Sequence, residues 1–389
     1  MNGTWTWQIP FSLLVGLAGF LAVLLPVLVV QYSRYGRLSP ARLLGTAALS
    51  VYAVALVAYT LLPLPDSATC VGRSGAILQP VPLATLTDIA DLAAAHGPTS
   101  STVLFAAAQP VLNVMLFVPL GVLVRAMAGR GIAVATLTGL AVSLLVETTQ
   151  YTGVFGLVGC AYRVADVDDL LTNTAGALLG ALLAPVVAGW IPGPAALAAL
   201  PPRPVTRPRR LLGMALDAML LSAAPGLLFT SGMLAYALVW ALITGSTDVP
   251  DPSDLSPLLM PAAVMASALA ALLLLVVLPA LRGGGASPGQ RMVGIVPVWK
   301  GRRGTARQRL LRALPVAGAW ALLPTLASLL ADGGVPLLPW ALENGARGIA
   351  LASVLLVLLT GTRGLSGALT GAELVDRRAA STSGVAVHR

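Results

Sequence analysis

Glu147, Gln150, Arg163, Asp166, Asp168, Asp169 and Asn173 crowd one short stretch of a chain that is otherwise almost all hydrocarbon. With Asn113 upstream they offer carboxylates, amides and one guanidinium. Arg163 suits a phosphate, which it can grip through two parallel hydrogen bonds. The acids suit amino or hydroxyl groups, or a hard cation that takes oxygen ligands. Glu147 in a low-dielectric setting, with an ionised Asp nearby, suits general acid or base work. A fourth reading needs no ligand. Arg163 pairs with Glu147 or an Asp, the amides satisfy backbone or each other, and the cluster holds helices together. Type and spacing leave all four open. The chain has no nucleophile motif, no phosphate-binding glycine loop and no His/Cys metal cluster, so neither a metal ligand set nor a cofactor is expected. His96 and His388 stand alone, one in a loop and one in the tail.

The elements that must position these groups are helices in lipid. The 389 residues are 57% hydrophobic and 10% charged, with mean hydropathy +0.86. A soluble domain carries about 25% charged residues. Apolar runs recur along the whole length, without the alternation over segments of about ten residues that marks a membrane barrel. The fold class is therefore all-α, a polytopic transmembrane helical bundle. Nine runs approach the roughly 20 residues a bilayer requires: 11–31, 43–63, 110–128, 132–152, 169–190, 211–244, 258–281, 314–331 and 347–362. The sixth is over-long and is expected to tilt, or to kink at Pro225–Gly226. The first has no basic segment before it and no small-residue cleavage site after it, and reads as a retained helix rather than a signal peptide.

Charge sets the orientation. With the N-terminus outside and the spans alternating, all but three of the 24 basic residues fall on the cytoplasmic side; Arg73, Arg163 and Arg347 are the exceptions. Eleven of the 15 acids fall outside. This is the positive-inside distribution, and it places the C-terminus in the cytoplasm. It also accounts for the net charge of +9 without nucleic acid, since the basic residues sit in short loops with no aromatic surface to stack bases. On this topology the cluster lies near the outer headgroups. Asp166, Asp169, Asn173, Gly176 and Gly180 are spaced 3, 4, 3, 4, one stripe of one helix, and Gly176 and Gly180 permit close approach of a neighbour. Glu147 and Gln150, three apart, share a face of the preceding helix. Cys70 and Cys160 both fall in outer loops, which suggests a disulfide.

The Pro- and Arg-rich stretch 191–210 reads as a cytoplasmic linker. It divides a five-helix domain, 1–190, from a four-helix domain, 211–376; residues 377–389 form a tail. The outer loop Leu64–Gln109 is long and mostly uncharged, and Leu83–Leu92 within it is expected to lie at the membrane interface. Asp217 is the one acid inside the spans of the second half, two turns from Arg209 and Arg210. An Asp paired with a snorkelling Arg and a proton- or cation-coupled site are both compatible with that spacing. The loop from Arg282 to Arg312 holds eight basic residues and no acid, which fits cytoplasmic anchoring and contact with anionic headgroups.

Several motifs occur in order. Asn113, Phe117, Pro119, Leu120 and Gly121 form Asn-x-x-x-Phe-x-Pro-Leu-Gly; Glu147 and Gln150 follow, then Arg163, Asp166, Asp168-Asp169, Asn173, Gly176 and Gly180. Over roughly residues 11–190 this pattern resembles the VanZ-like family, and Gln79-Pro80-Val81-Pro82-Leu83 resembles a degraded form of its Asn-Leu-Ile-Pro-Phe element. The resemblance implies a cell-envelope membrane protein linked to teicoplanin resistance, and names a family more than a reaction. In the second half, roughly 207–376, Arg209-Arg210-Leu211-Leu212 with Asp217, Ser287-Pro288-Gly289-Gln290-Arg291-Met292-Val293-Gly294-Ile295, and Arg307 and Arg312 resemble a degenerate RDD family domain. Gly367 stands where that family's second Asp is expected.

The leading expectation is a non-catalytic protein of the cell membrane. Its VanZ-like half engages a membrane lipid or a lipid-linked cell-wall precursor at the outer leaflet and affects glycopeptide sensitivity. A cation- or proton-coupled transporter using Asp217 and the outer cluster is the second expectation, and a membrane enzyme the third; Arg210 and Asp217 are the candidate site residues of the second half.

Overall fold

The computed structural model describes residues 7–64, 78–158, 160–161, 163–282, 284–331, 337–360 and 364–382. In chain order its principal elements are α1 (Gln8–Tyr35), α2 (Pro40–Leu61), β1 (Leu78–Gln79), α3 (Ala84–His96), α4 (Ser101–Ala128), α5 (Ile132–Tyr151), β2 (Ala165–Asp166) and α6 (Val167–Val187), with short helices also at Pro194–Ala199, Pro252–Leu255 and, in the expected tail, Arg377–Thr382. There follow α7 (Arg207–Thr244), α8 (Leu259–Arg282), α9 (Pro288–Met292), β3 (Ile295–Val298), α10 (Ala306–Leu329), α11 (Leu337–Thr360), α12 (Leu365–Thr370) and β4 (Glu373–Asp376). Among the described residues nine helices are long and apolar enough to cross a membrane, and each overlaps one expected run. Lengths and composition are those of a multi-pass membrane protein.

The helix ends differ from the apolar runs where local chemistry extends a helix. Ser100 accepts the N–H of Val103 and starts α4 nine residues before the apolar run. Gly129, at φ 63°, ends the same helix in the left-handed conformation that glycine adopts without a Cβ penalty. Thr305 and Gln308 form a reciprocal capping box that starts α10 at Ala306. The stretch Leu83–Leu92, expected at the interface, falls in the helix α3 and its N-cap Leu83. α7 runs 38 residues as one helix with Pro225 inside it.

The chain divides into two compact units, Met1–Val27 with Ser39–Leu200, and Leu28–Leu38 with Pro201–Arg389. In the first, α4 and α6 run parallel in backbone contact, with α5 packed antiparallel to α6. A Cβ on Gly176 would lie 2.2 Å from the Val114 carbonyl oxygen, and one on Gly180 1.9 Å from that of Val118. Gly121 answers from α4, where a Cβ would meet the Ala177 carbonyl at 2.0 Å. No side chain fits these contacts, so glycine sets the helix separation. Leu56, Phe117 and Leu120 form the adjoining core.

In the second unit α7, α8, α10 and α11 form the helical body, with Leu221, Leu272, Val276 and Ala321 at its core. At one end β3 and β4 pair antiparallel, Ile295 opposite Asp376 and Val298 opposite Glu373. Arg209 is 1% exposed there. Its guanidinium donates to Asp376 Oδ2 at 2.8 Å and to the carbonyls of Val293, Gly294 and Gly36 at 2.7, 2.8 and 3.2 Å. A buried guanidinium must place its five N–H donors, and these four bonds tie α7, α1 and the two strands together. Burial alone would raise the Asp376 carboxyl. Hydrogen bonds from Arg209 and the Arg378 N–H, with both guanidinium charges, hold it below the usual aspartate range.

Candidate functional site

The candidate site of the first unit is built where α5 ends and α6 begins. Glu147 and Gln150 lie on the inward face of α5, 5% and 4% exposed. Asp166 starts α6 as its N-cap, its side chain accepting the N–H of Asp168 at 2.8 Å. The Asp166 N–H donates to Glu147 Oε2 at 3.2 Å, which joins the two helices. Asn113 Nδ2 donates to Asp169 Oδ1 at 2.6 Å, which joins α4 to α6. The parallel glycine contacts beneath hold this pair in register. Asn113, Glu147, Asp166 and Asp169 therefore converge where α5 ends and α6 begins, against the middle of α4.

The remaining polar groups hold the scaffold. Asp168 accepts the N–H groups of Leu83 at 2.6 Å and Thr85 at 2.8 Å. It thereby caps α3 from a distance, taking orphan donors of that helix's first turn. The same segment is pinned by β1, which pairs parallel with β2, Leu78 opposite Ala165 and Gln79 opposite Asp166. Gln150 donates to the Thr60 carbonyl at 2.7 Å and ties α5 to α2. Asn173 donates to Ser143 Oγ at 2.9 Å, one turn deeper, while its Oδ1 is buried with no hydrogen-bond partner.

Charge is unevenly settled. Arg163 is exposed and makes no salt bridge among the described residues. It lies near enough for its charge to act on both Glu147 and Asp169, and those two carboxyls repel each other. Burial raises the Asp166 carboxyl above the usual aspartate range; the Asp168 N–H opposes the shift, and the charges of Asp168 and Asp88 add to it. Asp166 and Asp169 are half-buried, so both reach the surface of the cluster. Among the described residues no three of His, Cys, Asp and Glu are grouped to hold a metal ion.

Three partners of this network come from positions the sequence did not single out: Thr60, the Thr85 backbone and Ser143. Ser143 carried a signal, since Ser143, Glu147 and Gln150 are spaced 4 and 3 on one face. Backbone partners leave no such mark. Cys160 lies in the loop between α5 and β2, where a Cβ on Gly153 would come 2.3 Å from its carbonyl oxygen. Cys70 lies outside the described residues, and with it the expected Cys70–Cys160 pairing.

The candidates of the second unit are separate from this cluster. Asp217 accepts Ser287 Oγ at 2.5 Å and the Gly289 N–H at 2.7 Å. It is a cap for α9 rather than a partner of Arg209, whose carboxylate is Asp376. Arg210 is 5% exposed and lies beside Gly364.

Residues 49–188 match the VanZ/LLP1 family model. The matched stretch begins inside α2 and ends one residue past α6. It takes in Asn113, Glu147, Gln150, Arg163, Asp166, Asp168, Asp169 and Asn173, and leaves out α1 and α7–α12. The RDD resemblance of the second half finds no support in this match. No curated protein and no solved structure matches the chain.

Proposed function

We propose that the VanZ-like unit binds the polar headgroup of a membrane lipid or lipid-linked cell-wall precursor at the outer face of the cell membrane, and thereby alters sensitivity to a glycopeptide antibiotic of the teicoplanin type. One observation carries the reading. Arg163 stands exposed beside the Glu147 and Asp169 carboxyls without pairing to a described acid. An exposed guanidinium that bonds to no described acid keeps its N–H donors available to a ligand.

The division of labour follows from burial. Asp168, Gln150 and Asn173 are engaged with the scaffold and buried. Arg163 is the phosphate ligand, binding through its planar fork. Asp166 and Asp169 accept hydroxyl or amino donors of the same headgroup, and Glu147, deeper, holds the Asp166 N–H in place. The positive-inside distribution of charge supports the outer placement.

The test is the inhibitory concentration of a teicoplanin-type antibiotic in a susceptible bacterium expressing the protein. Arg163→Ala and Asp169→Asn are expected to abolish any shift that the unaltered chain produces, with membrane levels unchanged. Loss of the protein from the membrane to the same degree as loss of the shift would return these residues to the scaffold.

A further inference from the structure

The second unit holds a half-open cavity of about 330 Å³ between α7, α8, α10 and α11. This lies within the range of about 300–1,000 Å³ in which small-molecule sites fall. Its lining is polar at one end, with Arg210, Asp217, Ser287, Gln290 and Arg312. Elsewhere it is apolar, with Leu221, Leu275, Val276, Ala317, Trp320 and Val354.

The polar end carries more positive than negative charge. Arg312 is 4% exposed; it donates to the Gly285 carbonyl and to Gln290 Oε1, both at 3.0 Å, and its Nε has no hydrogen-bond partner. Both partners are neutral, and Arg312 makes no salt bridge among the described residues. Arg210, the second guanidinium on the lining, is 5% exposed. Asp217 is the single acid on the lining, and its two oxygens already accept Ser287 Oγ and the Gly289 N–H. Arg312 therefore holds its charge without an ion pair among the described residues, in a place shielded from water, where a fixed charge is retained at least cost opposite a counter-charge.

Position selects the chemistry of that counter-charge. Arg210 lies at the first turn of α7 and Arg312 in the second turn of α10, so the charged end sits at the helix ends. The apolar wall extends deeper, to Leu221 on α7 and Trp320 on α10. A cavity charged at the membrane boundary and apolar toward the interior has the polarity of a lipid: headgroup at the end, chain between the helices. A small soluble anion would leave the apolar wall unfilled, and an uncharged hydrocarbon would leave the guanidinium without a counter-charge.

We infer that this cavity binds an anionic amphiphile, a single carboxylate or phosphate at Arg312 and Arg210 with its alkyl chain against Trp320. The inference rests on the second unit alone and stands or falls apart from the headgroup reading of the first.

Trp320 provides the readout. The full chain, purified in uncharged detergent, is titrated with 9,10-dibromostearate, whose bromines quench indole fluorescence on contact. Trp320→Phe identifies the quenching that belongs to the cavity. Saturable quenching of Trp320 is expected from the acid, with at least tenfold weaker binding of its methyl ester. Ala317→Phe, which fills the cavity and leaves the charges in place, is expected to abolish it. Arg312→Gln is expected to weaken it at least tenfold, and Arg312→Lys less. Equal quenching by acid and ester, or saturable quenching that survives Ala317→Phe, would overturn the inference. So would inorganic phosphate displacing the amphiphile as effectively as unbrominated stearate, since that assigns the site to a soluble anion.

Discussion

The carboxylate of Asp168 accepts the backbone N–H groups of Leu83 and Thr85, at 2.6 and 2.8 Å, across 85 and 83 residues of sequence. Leu83 sits at φ 64°, a conformation that costs a leucine, and it immediately precedes α3. Asp168 therefore fixes both a strained residue and the start of a helix to the first turn of α6. An acid whose type and place suggested a ligand contact is in this structure a bracket.

Asp168→Ala is accordingly expected to lower the stability of the protein by about 1–3 kcal/mol, the usual consequence of stranding buried hydrogen-bond donors. Arg163→Ala, at an exposed residue without a described ion pair, is expected to change stability by no more than about 0.5 kcal/mol. Thermal unfolding in detergent compares the two. Equal destabilisation would place Arg163 in the same scaffold as Asp168.

The glycines of α6 make a sharper demand. Gly180→Ala brings a Cβ to 1.9 Å from the Val118 carbonyl oxygen, a backbone atom that cannot rotate away. The helices must separate, and overpacking of this kind costs about 1–3 kcal/mol. Gly232→Ala, in α7, meets nothing within 4 Å and is expected to be neutral or slightly stabilising. Melting temperature and membrane yield of the two variants check the contrast. Because α4 and α6 also carry Asn113 and Asp169, Gly180→Ala is further expected to weaken any ligand binding at the cluster.

What the sequence made legible follows from the range of each interaction. The nine long helices were legible because lipid demands a continuous apolar run, and every run lies within one chain segment. The placing of Asp169, Asn173, Gly176 and Gly180 along one helix was legible because helical spacing is local; Asp166, read as part of the same stripe, is the N-cap that precedes it. The extra turns of α4 were not, because the Ser100 cap lies among polar residues outside the apolar run. Least visible were the pairings over long separations. Gln150 finds a carbonyl 90 residues away at Thr60, and Asp217 a hydroxyl 70 residues away at Ser287. Asp217, for which the sequence left a snorkelling arginine and a proton- or cation-coupled site both open, caps α9. Arg209 takes Asp376, 167 residues on.

That last pair predicts a dependence on pH. The Asp376 carboxyl is held below its ordinary value in the folded chain. A group whose folded value is depressed contributes stability that is complete above the unfolded value of about 3.9. The contribution is lost as pH falls through the lower folded value. Stability of the second unit is expected to fall as the solution is acidified from about pH 5 to about pH 2. Asp376→Asn, which strands the buried Arg209 guanidinium, should cost about 3–5 kcal/mol at neutral pH and flatten the acid limb. Urea unfolding across that range measures both; an unchanged acid limb in Asp376→Asn would assign it to other carboxyls.

The loop between α5 and β2 supports a final prediction. Gly153, at φ 61°, lies where a Cβ would come 2.3 Å from the Cys160 carbonyl, so the chain folds tightly back on the end of α5. A disulfide from Cys160 to Cys70 would tie the segment after α2 to the loop that presents Arg163. Such a bridge requires an oxidising compartment, which is the outer face on the charge-based topology. A membrane-impermeant maleimide is expected to label neither cysteine in unreduced membranes, and both after treatment with reductant. Cys160→Ser should leave the nine spans intact, expose Cys70 to the reagent, and reduce stability by about 2–4 kcal/mol. Labelling of both cysteines before reduction would remove the bridge, and with it the restraint on Arg163.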